Sequence, residues 1–565
     1  MSNEMFLKSV KIDTDIWDIN LDYADKNNVT SLFISEGNIH PYPAKAVANM
    51  VHDLLYKLKD AYKVESVLDP FVGSGTVALE SKLLGLDFYG SDLNPLAVLL
   101  AKTKSLTIKG TPYIRKKLEE FTLTINVDNM KSTLYELVSF NNIDYWFKQE
   151  NIEQLSYIKW RIELFLKSLP TRYKTALSLI TLTAFSTTIR ESSLSRNDEF
   201  KLYRLSPGDR EKFTINSIEV FSKRIVELLN MIQDVNIEFR GDTKSEIFLK
   251  NAKDLSYLRK NKVDLIFTSP PYGDSQSTVA YGQFSRLSLQ WMFDLMKNYL
   301  GIETVYQNCD EYLLGGKYSV VNNLKNIDAL LNTSSTFKKL VDDMNQLVKT
   351  ELQEIDLDIL KLGEIRQKIE ENNFDFTVLA DESIISILIK ERIRLYNYKK
   401  NNENINLEKK EVKKITIKET EKFLSDLYTR NGKNCDEKIE ILKNTILPNV
   451  LEALKRKRKF LPKRVKEVID FFIDLFKVTE QTDMVIKNDG IQVWIVGHRT
   501  VLGSIEVNMA NILNEWFKSR NYSQLALITR TCHFKRLPMH INSTVTRDKQ
   551  IKTMAEEYVL IVKKD

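Results

Sequence analysis

The sequence contains few cysteines and no long apolar runs. Its 565 residues include three cysteines, Cys309, Cys435 and Cys532, whose separations match neither a disulfide framework nor a metal-ligand spacing. No run of about 18 apolar residues is present, and the first residues lack the charged and apolar segments of a secretory signal. These absences predict a cytoplasmic protein in a reducing compartment, with neither a membrane segment nor a metal site.

The sequence also lacks internal repeats and a complete phosphate-binding loop. Residues 315–317 read Gly-Gly-Lys, but a tyrosine follows and the earlier glycine of a P-loop is missing, so no such loop is predicted there. The formal net charge of +6 permits a nucleic-acid partner without requiring one. The chain length predicts about two to four domains.

One informative stretch reads Asp-Pro-Phe-Val-Gly-Ser-Gly-Thr at residues 69–76. It lies between an apolar segment with strand character, residues 64–68, and a helical pattern. Gly73 and Gly75 permit a sharp turn and a close approach to a ligand, and the helix start behind them offers unpaired N–H groups. Asp92 follows a second predicted strand, where a carboxylate can accept hydrogen bonds from ribose hydroxyls. These features predict a nucleoside-cofactor site at the edge of a parallel sheet.

The identity of the cofactor depends on a second motif, because residues 73–78 also satisfy the dinucleotide fingerprint G-x-G-x-x-G/A. Ser-Pro-Pro-Tyr at residues 269–272 follows a predicted buried strand, residues 263–267, and open parallel sheets bind ligands outside such strand ends. The two prolines remove two N–H donors, which leaves carbonyl groups and the Ser269 hydroxyl as acceptors. Tyr272 adds a flat ring. The combination suits a planar group that carries an amine.

Together the two motifs resemble those of the S-adenosylmethionine-dependent amino-methyltransferases of DNA. Residues 69–76 match the cofactor motif Asp-Pro-Phe-x-Gly-Ser-Gly-Thr, and residues 269–272 match the catalytic motif (Asp/Asn/Ser)-Pro-Pro-(Tyr/Phe). The resemblance covers roughly residues 36–105, 236–300 and 485–565. It implies an α/β fold with a Rossmann-like class I methyltransferase sheet, S-adenosyl-L-methionine as the cofactor and double-stranded DNA as the partner.

The resemblance also implies roles for individual residues. The catalytic residues would be Ser269, Pro270, Pro271 and Tyr272. The residues expected to hold the cofactor are His40, Pro41, Asp69, Phe71, Gly73, Ser74, Gly75, Thr76, Asp92, Leu93, Asn94 and Asp254. Asp92 would bind the ribose and Asp254 the adenine end. Ser269 and the carbonyl of the next residue would accept hydrogen bonds from the amine of a flipped base, on which Tyr272 would stack.

The residue at position 269 bears on which base is methylated. Serine there is typical of the cytosine-N4 enzymes of this family, but some adenine-N6 enzymes also carry it, so adenine N6 is the alternative. An RNA guanine-N2 methyltransferase is a more distant alternative, since those enzymes usually carry Asp or Asn there. A nicotinamide or flavin oxidoreductase would leave Ser-Pro-Pro-Tyr unexplained, and intact motifs argue against a non-catalytic DNA-binding subunit. We expect a restriction–modification or related defence setting, with a cognate endonuclease encoded separately.

Long helical segments divide the predicted catalytic domain. Residues 1–109 form its cofactor half, including a predicted helix at 95–104, and residues 110–235 form a helical insertion. Residues 236–299, beginning with a strand, carry the catalytic motif. Residues 300–485 are a charged helical insertion and the candidate target-recognition region. Residues 486–565 supply the last strands and a predicted helix at 509–518.

Basic residues in both insertions are candidate DNA contacts. Arg190, Lys201 and Arg204 lie beside hydroxyl and aromatic side chains in the first insertion. The densest basic cluster, in the second insertion, consists of Lys455, Arg456, Lys457, Arg458 and Lys459. A solvated helix surface would explain either set equally well, so the sequence leaves open which insertion reads the DNA.

Overall fold

A computed structural model describes most of the predicted catalytic domain and most of the two predicted insertions. The described residues are 17, 21, 40–43, 46–196, 201–260, 262–273, 281–303, 309–317, 327–371, 439–531 and 556–565. Cys435, Cys532 and the middle of the segment 300–485 lie outside them.

Seven strands form one mixed sheet. Their bounds are Ser66–Asp69 (β1), Asp87–Asp92 (β2), Ser245–Leu249 (β3), Val263–Thr268 (β4), Ile486–Gly497 (β5), Tyr522–Thr531 (β8) and Glu556–Lys564 (β9). A separate hairpin joins Arg499–Val501 (β6) and Ile505–Val507 (β7). In the sheet the order is β3-β2-β1-β4-β5-β9-β8, with β1 to β5 parallel and β9 antiparallel to both neighbours. The predicted α/β, Rossmann-like class I methyltransferase fold is confirmed.

Helices cover both faces of this sheet, as parallel strands require. Their bounds are Ala48–Tyr62 (α1), Thr76–Leu83 (α2), Pro95–Lys104 (α3), Thr111–Leu123 (α4), Val127–Lys131 (α5), Ile143–Trp146 (α6), Gln149–Ser168 (α7), Thr171–Glu191 (α8), Pro207–Glu211 (α9), Ser217–Glu238 (α10), Tyr281–Leu300 (α11), Ile327–Thr333 (α12), Ser335–Glu370 (α13), Leu447–Val485 (α14) and Met509–Lys518 (α15). None of the described helices is both long enough and apolar enough to cross a bilayer.

The first insertion lies in the crossover between β2 and β3 and packs into the main core. Buried residues of α7, α8 and α10 belong to the same apolar cluster as residues of β1, β4 and β5. The strand predicted at residues 236–240 is wrong, because α10 continues to Glu238 and the next strand begins at Ser245. The buried apolar side chains of α10 recur at helical spacing from Phe221 to Val235. Beyond them, the Asn236 side chain donates to the Leu106 carbonyl and accepts from the Ile108 N–H, and these bonds hold the last turn of the helix.

The second insertion lies in the crossover between β4 and β5, and its largest described part is a helical hairpin. Helices α13 and α14 contain 36 and 39 residues. The ring centroids of Phe337 and Phe472 lie 5.1 Å apart, while Glu351 binds Lys457 further along, so the helices run antiparallel. The hairpin is joined to the sheet domain at one end, where Glu515 of α15 accepts hydrogen bonds from the first residues of α13.

Candidate cofactor and catalytic site

The turn between β1 and α2 depends on two glycines. Gly73 has φ +50° and Gly75 has φ +86°, backbone conformations that other residues adopt only with strain. A Cβ atom on Gly75 would lie 2.6 Å from the Cα atom of Ala101 on α3. The loop therefore presses directly on a neighbouring helix, and this contact fixes where α2 begins.

Asp92, at the end of β2, holds this turn from the adjacent strand. Its Oδ2 atom accepts a hydrogen bond from the Gly73 N–H at 3.0 Å, and its Oδ1 atom accepts one from the Asn94 N–H at 2.8 Å. Burial raises the pKa of Asp92 to about 6, although these N–H groups favour the charged form. Two adjacent strand ends thus place a carboxylate and a glycine turn side by side.

A hydrogen bond joins the cofactor motif to the end of the strand that precedes Ser-Pro-Pro-Tyr. The Thr268 hydroxyl, at the end of β4, donates to Asp69 Oδ1 at 2.7 Å, and the Phe71 N–H donates to the same oxygen at 3.0 Å. Asp69 is 3% exposed, and this burial raises its pKa to about 7. Because Ser269 directly follows Thr268, the bond places the catalytic motif next to the cofactor loop.

Both motifs open into one cleft. The predicted residues that line it are Asp69, Phe71, Gly73, Ser74, Thr76, Asp92, Leu93, Asn94, Ser269 and Pro271. The remaining predicted residues of the two motifs, Gly75, Pro270 and Tyr272, do not line it. Tyr272 lies beside the cleft, with its hydroxyl 3.4 Å from Ser269 Oγ.

Tyr42, rather than His40 or Pro41, contributes to the wall of the cleft from the segment before α1. The two ring nitrogens of His40 lie 2.6 Å from the Pro41 carbonyl oxygen and 2.8 Å from the Ser186 hydroxyl. Its burial lowers its pKa to about 3, so the ring is neutral near pH 7. The Tyr42 hydroxyl accepts a hydrogen bond from Asn94 Nδ2 at 3.1 Å. His40 thus supports the wall from behind.

The structure does not bring Asp254 into the cleft. This carboxylate is exposed and accepts a hydrogen bond from the Ser256 N–H at 3.1 Å, which turns it along its own loop. Asn251 and Ala252, three and two residues earlier in the loop after β3, line the cleft instead. The sequence pointed to Asp254 because it is acidic. The direction of the loop, which the sequence does not show, decides that other residues face the cleft.

Several further residues that line or support the cleft carry no sequence signal. Tyr281 at the start of α11 lies with its ring centroid 6.1 Å from that of Tyr42, and Tyr312 lines the cleft from the segment after α11. Lys104, which is 4% exposed, donates to Ser74 Oγ at 3.1 Å from α3. Tyr42, which stands between two prolines, directly follows the predicted residues His40 and Pro41.

Comparison with known proteins identifies the family. No protein-family model matches the chain. The type II methyltransferase M.MvaI of Kocuria varians is 31% identical over 379 residues, which cover 63% of this chain and 81% of that protein. This chain belongs to the type II DNA methyltransferases, which use S-adenosylmethionine. The type II methyltransferase M.MjaII of Methanocaldococcus jannaschii is 26% identical over 164 residues, covering 26% of this chain and 30% of that protein.

A solved structure adds no argument to this identification. The rRNA methyltransferase aviRa from Streptomyces viridochromogenes aligns over 49% of this methyltransferase and 80% of its own chain, with 12% sequence identity and a TM-score of 0.20. The fold assignment rests on the strand order and pairing of the sheet.

The cleft of this methyltransferase fits S-adenosylmethionine. Two left-handed glycines keep the turn free of side-chain bulk, and the Asp92 carboxylate stands at the end of the neighbouring strand, as a ribose site requires. Phe71, Leu93 and Leu314 add apolar lining that suits a purine ring and a thioether chain. The donors, acceptors and apolar walls that such a nucleoside needs are therefore present in one place.

The predicted DNA contacts of the first insertion differ in exposure. Arg190 is 7% exposed, with its guanidinium carbon 4.1 Å from the ring centroid of Phe284, and burial lowers its pKa to about 10. Arg190 therefore presents little surface to a DNA phosphate in this structure, and its role as a DNA contact stays a prediction. Arg204 is half-buried and stacks at 4.1 Å on Tyr145, whereas Lys201 is exposed.

The basic cluster of α14 is partly neutralised within the hairpin. Lys457 binds Glu351 at 2.6 Å and Arg458 binds Asp356 at 2.7 Å, both across to α13. Arg456 binds Glu452 at 3.2 Å, one turn earlier on α14. The other two lysines of the cluster, Lys455 and Lys459, are exposed and form no salt bridge with the part of the chain that the structure describes. The charge available to a polyanion is smaller than the sequence indicates.

Proposed function

We propose that this methyltransferase transfers a methyl group to the N4 amine of cytosine in double-stranded DNA. The observation that carries the proposal is the position of Ser269, at the end of β4 and in the same cleft as the glycine turn. A neutral hydroxyl acceptor at this position is typical of cytosine-N4 enzymes of the family. The relatives' names do not state a base, and adenine N6 is the alternative.

S-adenosylmethionine, when bound, supplies a methyl group activated by its sulfonium. We assign the binding of its ribose to Asp92 and of its polar end to the turn of residues 69–76 and the start of α2. Asn251 and Ala252 take the place of Asp254 beside the adenine, because they line the cleft. The proposed cofactor set is therefore the predicted one without Asp254, and with His40 and Pro41 as supporting residues.

The catalytic motif orients the target amine. In the proposal, the Ser269 hydroxyl and the Pro270 carbonyl accept hydrogen bonds from the exocyclic amine, which turns the nitrogen lone pair toward the methyl donor. The target base rotates out of the duplex to reach the cleft. Tyr272, beside Ser269, then stacks on this base. The rate enhancement then comes from positioning, without a covalent enzyme intermediate.

The helical hairpin of α13 and α14 is the proposed target-recognition element. It lies in the crossover that leads from the catalytic motif to β5, and it carries the exposed Lys455 and Lys459. Together with Lys201 of the first insertion, these lysines remain candidate phosphate contacts. The five-part domain division, the separately encoded endonuclease and the cytoplasmic location also remain predictions.

The test is expression in a bacterial host that lacks DNA methylation, followed by single-molecule sequencing of the host DNA. We expect N4-methylcytosine within a fixed sequence. Ser269→Ala should reduce methyl transfer by about a hundredfold or more while S-adenosylmethionine still binds. Asp92→Ala should weaken cofactor binding. Ser168→Ala, at an exposed helix end, is the matched control and should behave as the wild type.

Each alternative outcome is distinct. N6-methyladenine in a fixed sequence would replace only the proposed base. Unmodified DNA, with labelled methyl groups found in RNA, would overturn the DNA substrate. An Asp92→Ala variant with unchanged cofactor affinity would remove the ribose role of that carboxylate.

A further inference from the structure

One buried carboxylate of the helical hairpin holds two separate walls of the cleft. Asp474, on α14, has no exposed surface. Its Oδ1 atom accepts a hydrogen bond from Lys253 Nζ at 3.0 Å, and its Oδ2 atom accepts one from the Gly315 N–H at 2.9 Å. Both carboxylate oxygens are therefore engaged, one by a cation and one by the backbone.

The two partners of Asp474 come from distant parts of the chain, and each adjoins residues that line the cleft. Lys253 directly follows Asn251 and Ala252, which lie on the proposed adenine side. Gly315 directly follows residues 312–314, which line the cleft from the segment after α11. Since both walls are loops, their separation depends on whatever holds their ends, and Asp474 holds both.

Phe471, one turn earlier on α14, contacts the same region. A Cβ atom on Gly315 would lie 3.1 Å from the N, Cα and Cβ atoms of Phe471, so the loop of Gly315 packs directly against the backbone of α14. The Phe471 ring also lies 5.4 Å from the guanidinium carbon of Arg499. That guanidinium occupies the space beside Gly273, the residue after Ser-Pro-Pro-Tyr. One turn of α14 thus reaches both cofactor walls and, through Arg499, the catalytic loop.

We propose that Asp474 is a positioning residue for the methyltransferase reaction, which sets the width of the cofactor cleft from within the helical hairpin. It contacts no reacting atom and acts through the loops of Lys253 and Gly315. The same helix carries the basic cluster, about 25 Å away at 1.5 Å per residue. The element proposed to read DNA and the element that shapes the cofactor cleft are therefore one continuous helix. The inference rests on the proposed placement of the cofactor.

Four variants of the full chain test the proposal. Asp474→Asn keeps an acceptor for the Gly315 N–H but removes the charge that binds Lys253. Lys253→Met removes the same salt bridge by changing the cation instead. The double variant Asp474→Asn/Lys253→Met completes a double-mutant cycle. Asp356→Asn is the control, because it makes the same charge change at an exposed salt bridge of the hairpin, at 47% side-chain exposure.

The measurements are the Kd of S-adenosylmethionine by calorimetry, the KM and kcat of methyl transfer to DNA from a methylation-free host, and the Tm. We expect each single variant to weaken cofactor affinity about tenfold. The double variant should be no weaker than either single one, because all three lack the same bond. KM for the cofactor should rise while kcat at saturating cofactor changes little. The control should keep the wild-type Kd.

The Tm values of the variants distinguish a positioning role of Asp474 from a merely structural one. The single variants leave a buried charge without its partner, so their Tm should fall, and the double variant should recover part of that loss. If cofactor affinity recovers together with Tm in the double variant, Asp474 acts only on stability and the proposal fails. A Kd within twofold of wild type in both single variants would also overturn it. Should Asp474→Asn not fold, Lys253→Met alone decides, since it removes the same bond.

The failure of this inference differs from that of the proposed function. If the wild type binds cofactor and methylates DNA while the variants match it, only the role of Asp474 is lost. If the wild type binds no S-adenosylmethionine, the placement of the cofactor fails first.

Discussion

The carboxyl ends of the parallel strands, here called the sheet edge, and the hairpin of α13 and α14 both carry charged side chains, but these side chains have different surroundings. At the sheet edge Asp69 is buried and Asp92 is half-buried, and their carboxylates accept hydrogen bonds from backbone N–H groups and one hydroxyl. In the hairpin Arg458 and Asp356 pair at the surface, with 57% and 47% of their side chains exposed. Removing the partner of a buried hydrogen-bond acceptor lowers the stability of the fold strongly, whereas an exposed ion pair contributes little to that stability.

This difference indicates which parts of the molecule tolerate change. The sheet edge must keep its donors and acceptors in fixed positions, because a methyl transfer depends on geometry. The hairpin surface can exchange charges with little loss of stability, as the proposed role in target recognition requires. Asp474 is the exception within the hairpin, since it is fully buried and bonded to loops of the cleft.

The sharpest test of the comparison is Gly75→Ala. The substitution adds a Cβ atom 2.6 Å from Ala101 Cα at a residue with φ +86°. We expect a loss of about 2–5 kcal/mol in the free energy of unfolding, from left-handed strain and overpacking together. Urea denaturation measures it. Gly208→Ala is the matched control, because nothing lies within 4 Å of its added Cβ, and it should change stability by less than about 1 kcal/mol. Equal losses would contradict the packing argument.

A second test uses the pH dependence of stability in the ligand-free protein. Burial raises the pKa of Asp69 from 3.8 to about 7, so the folded protein binds this proton more tightly than the unfolded chain. The resulting stabilisation is complete below about pH 4 and is lost as the pH rises through about 7. Asp69→Asn cannot ionise and should remove this component.

The difference in unfolding free energy between wild type and Asp69→Asn should therefore shift by on the order of 2–4 kcal/mol between pH 4 and pH 8. Chemical denaturation at several pH values measures it. Asp92, whose pKa is raised to about 6, adds a slope of the same sign that both proteins retain. Parallel profiles for the two proteins would show that Asp69 is not the buried acid described here.

The smallest expected effect concerns the hairpin surface. Arg458→Gln removes the salt bridge to Asp356 but keeps the length and polarity of the side chain. We expect a stability loss of less than about 1 kcal/mol, and less again at high salt. Thermal unfolding at low and high ionic strength measures both. A loss of unfolding free energy above about 2 kcal/mol would mean that the ion pairs of the hairpin contribute as much to stability as the buried acceptors of the strand ends. The comparison would then fail.

Local constraints made part of the fold and site predictable. The predicted helices at residues 95–104 and 509–518 match α3 and α15, because a proline start or a clear apolar stripe marks each of them. The glycine turn and Ser-Pro-Pro-Tyr were predictable because glycine and proline restrict the backbone within a few residues. The end of α10 was not, because it depends on hydrogen bonds between the Asn236 side chain and residues 106 and 108, which lie far away in the sequence.

The sequence by itself determined the two strand ends, their backbone conformations and the chemistry that their side chains offer. Only the tertiary structure decided which residues meet across long stretches of chain. The bond between Thr268 and Asp69, the choice of Asn251 over Asp254, and the burial of Arg190 all depend on how crossovers are threaded around the sheet. Local sequence propensity does not predict such contacts, because they form by packing between segments that are far apart in the chain.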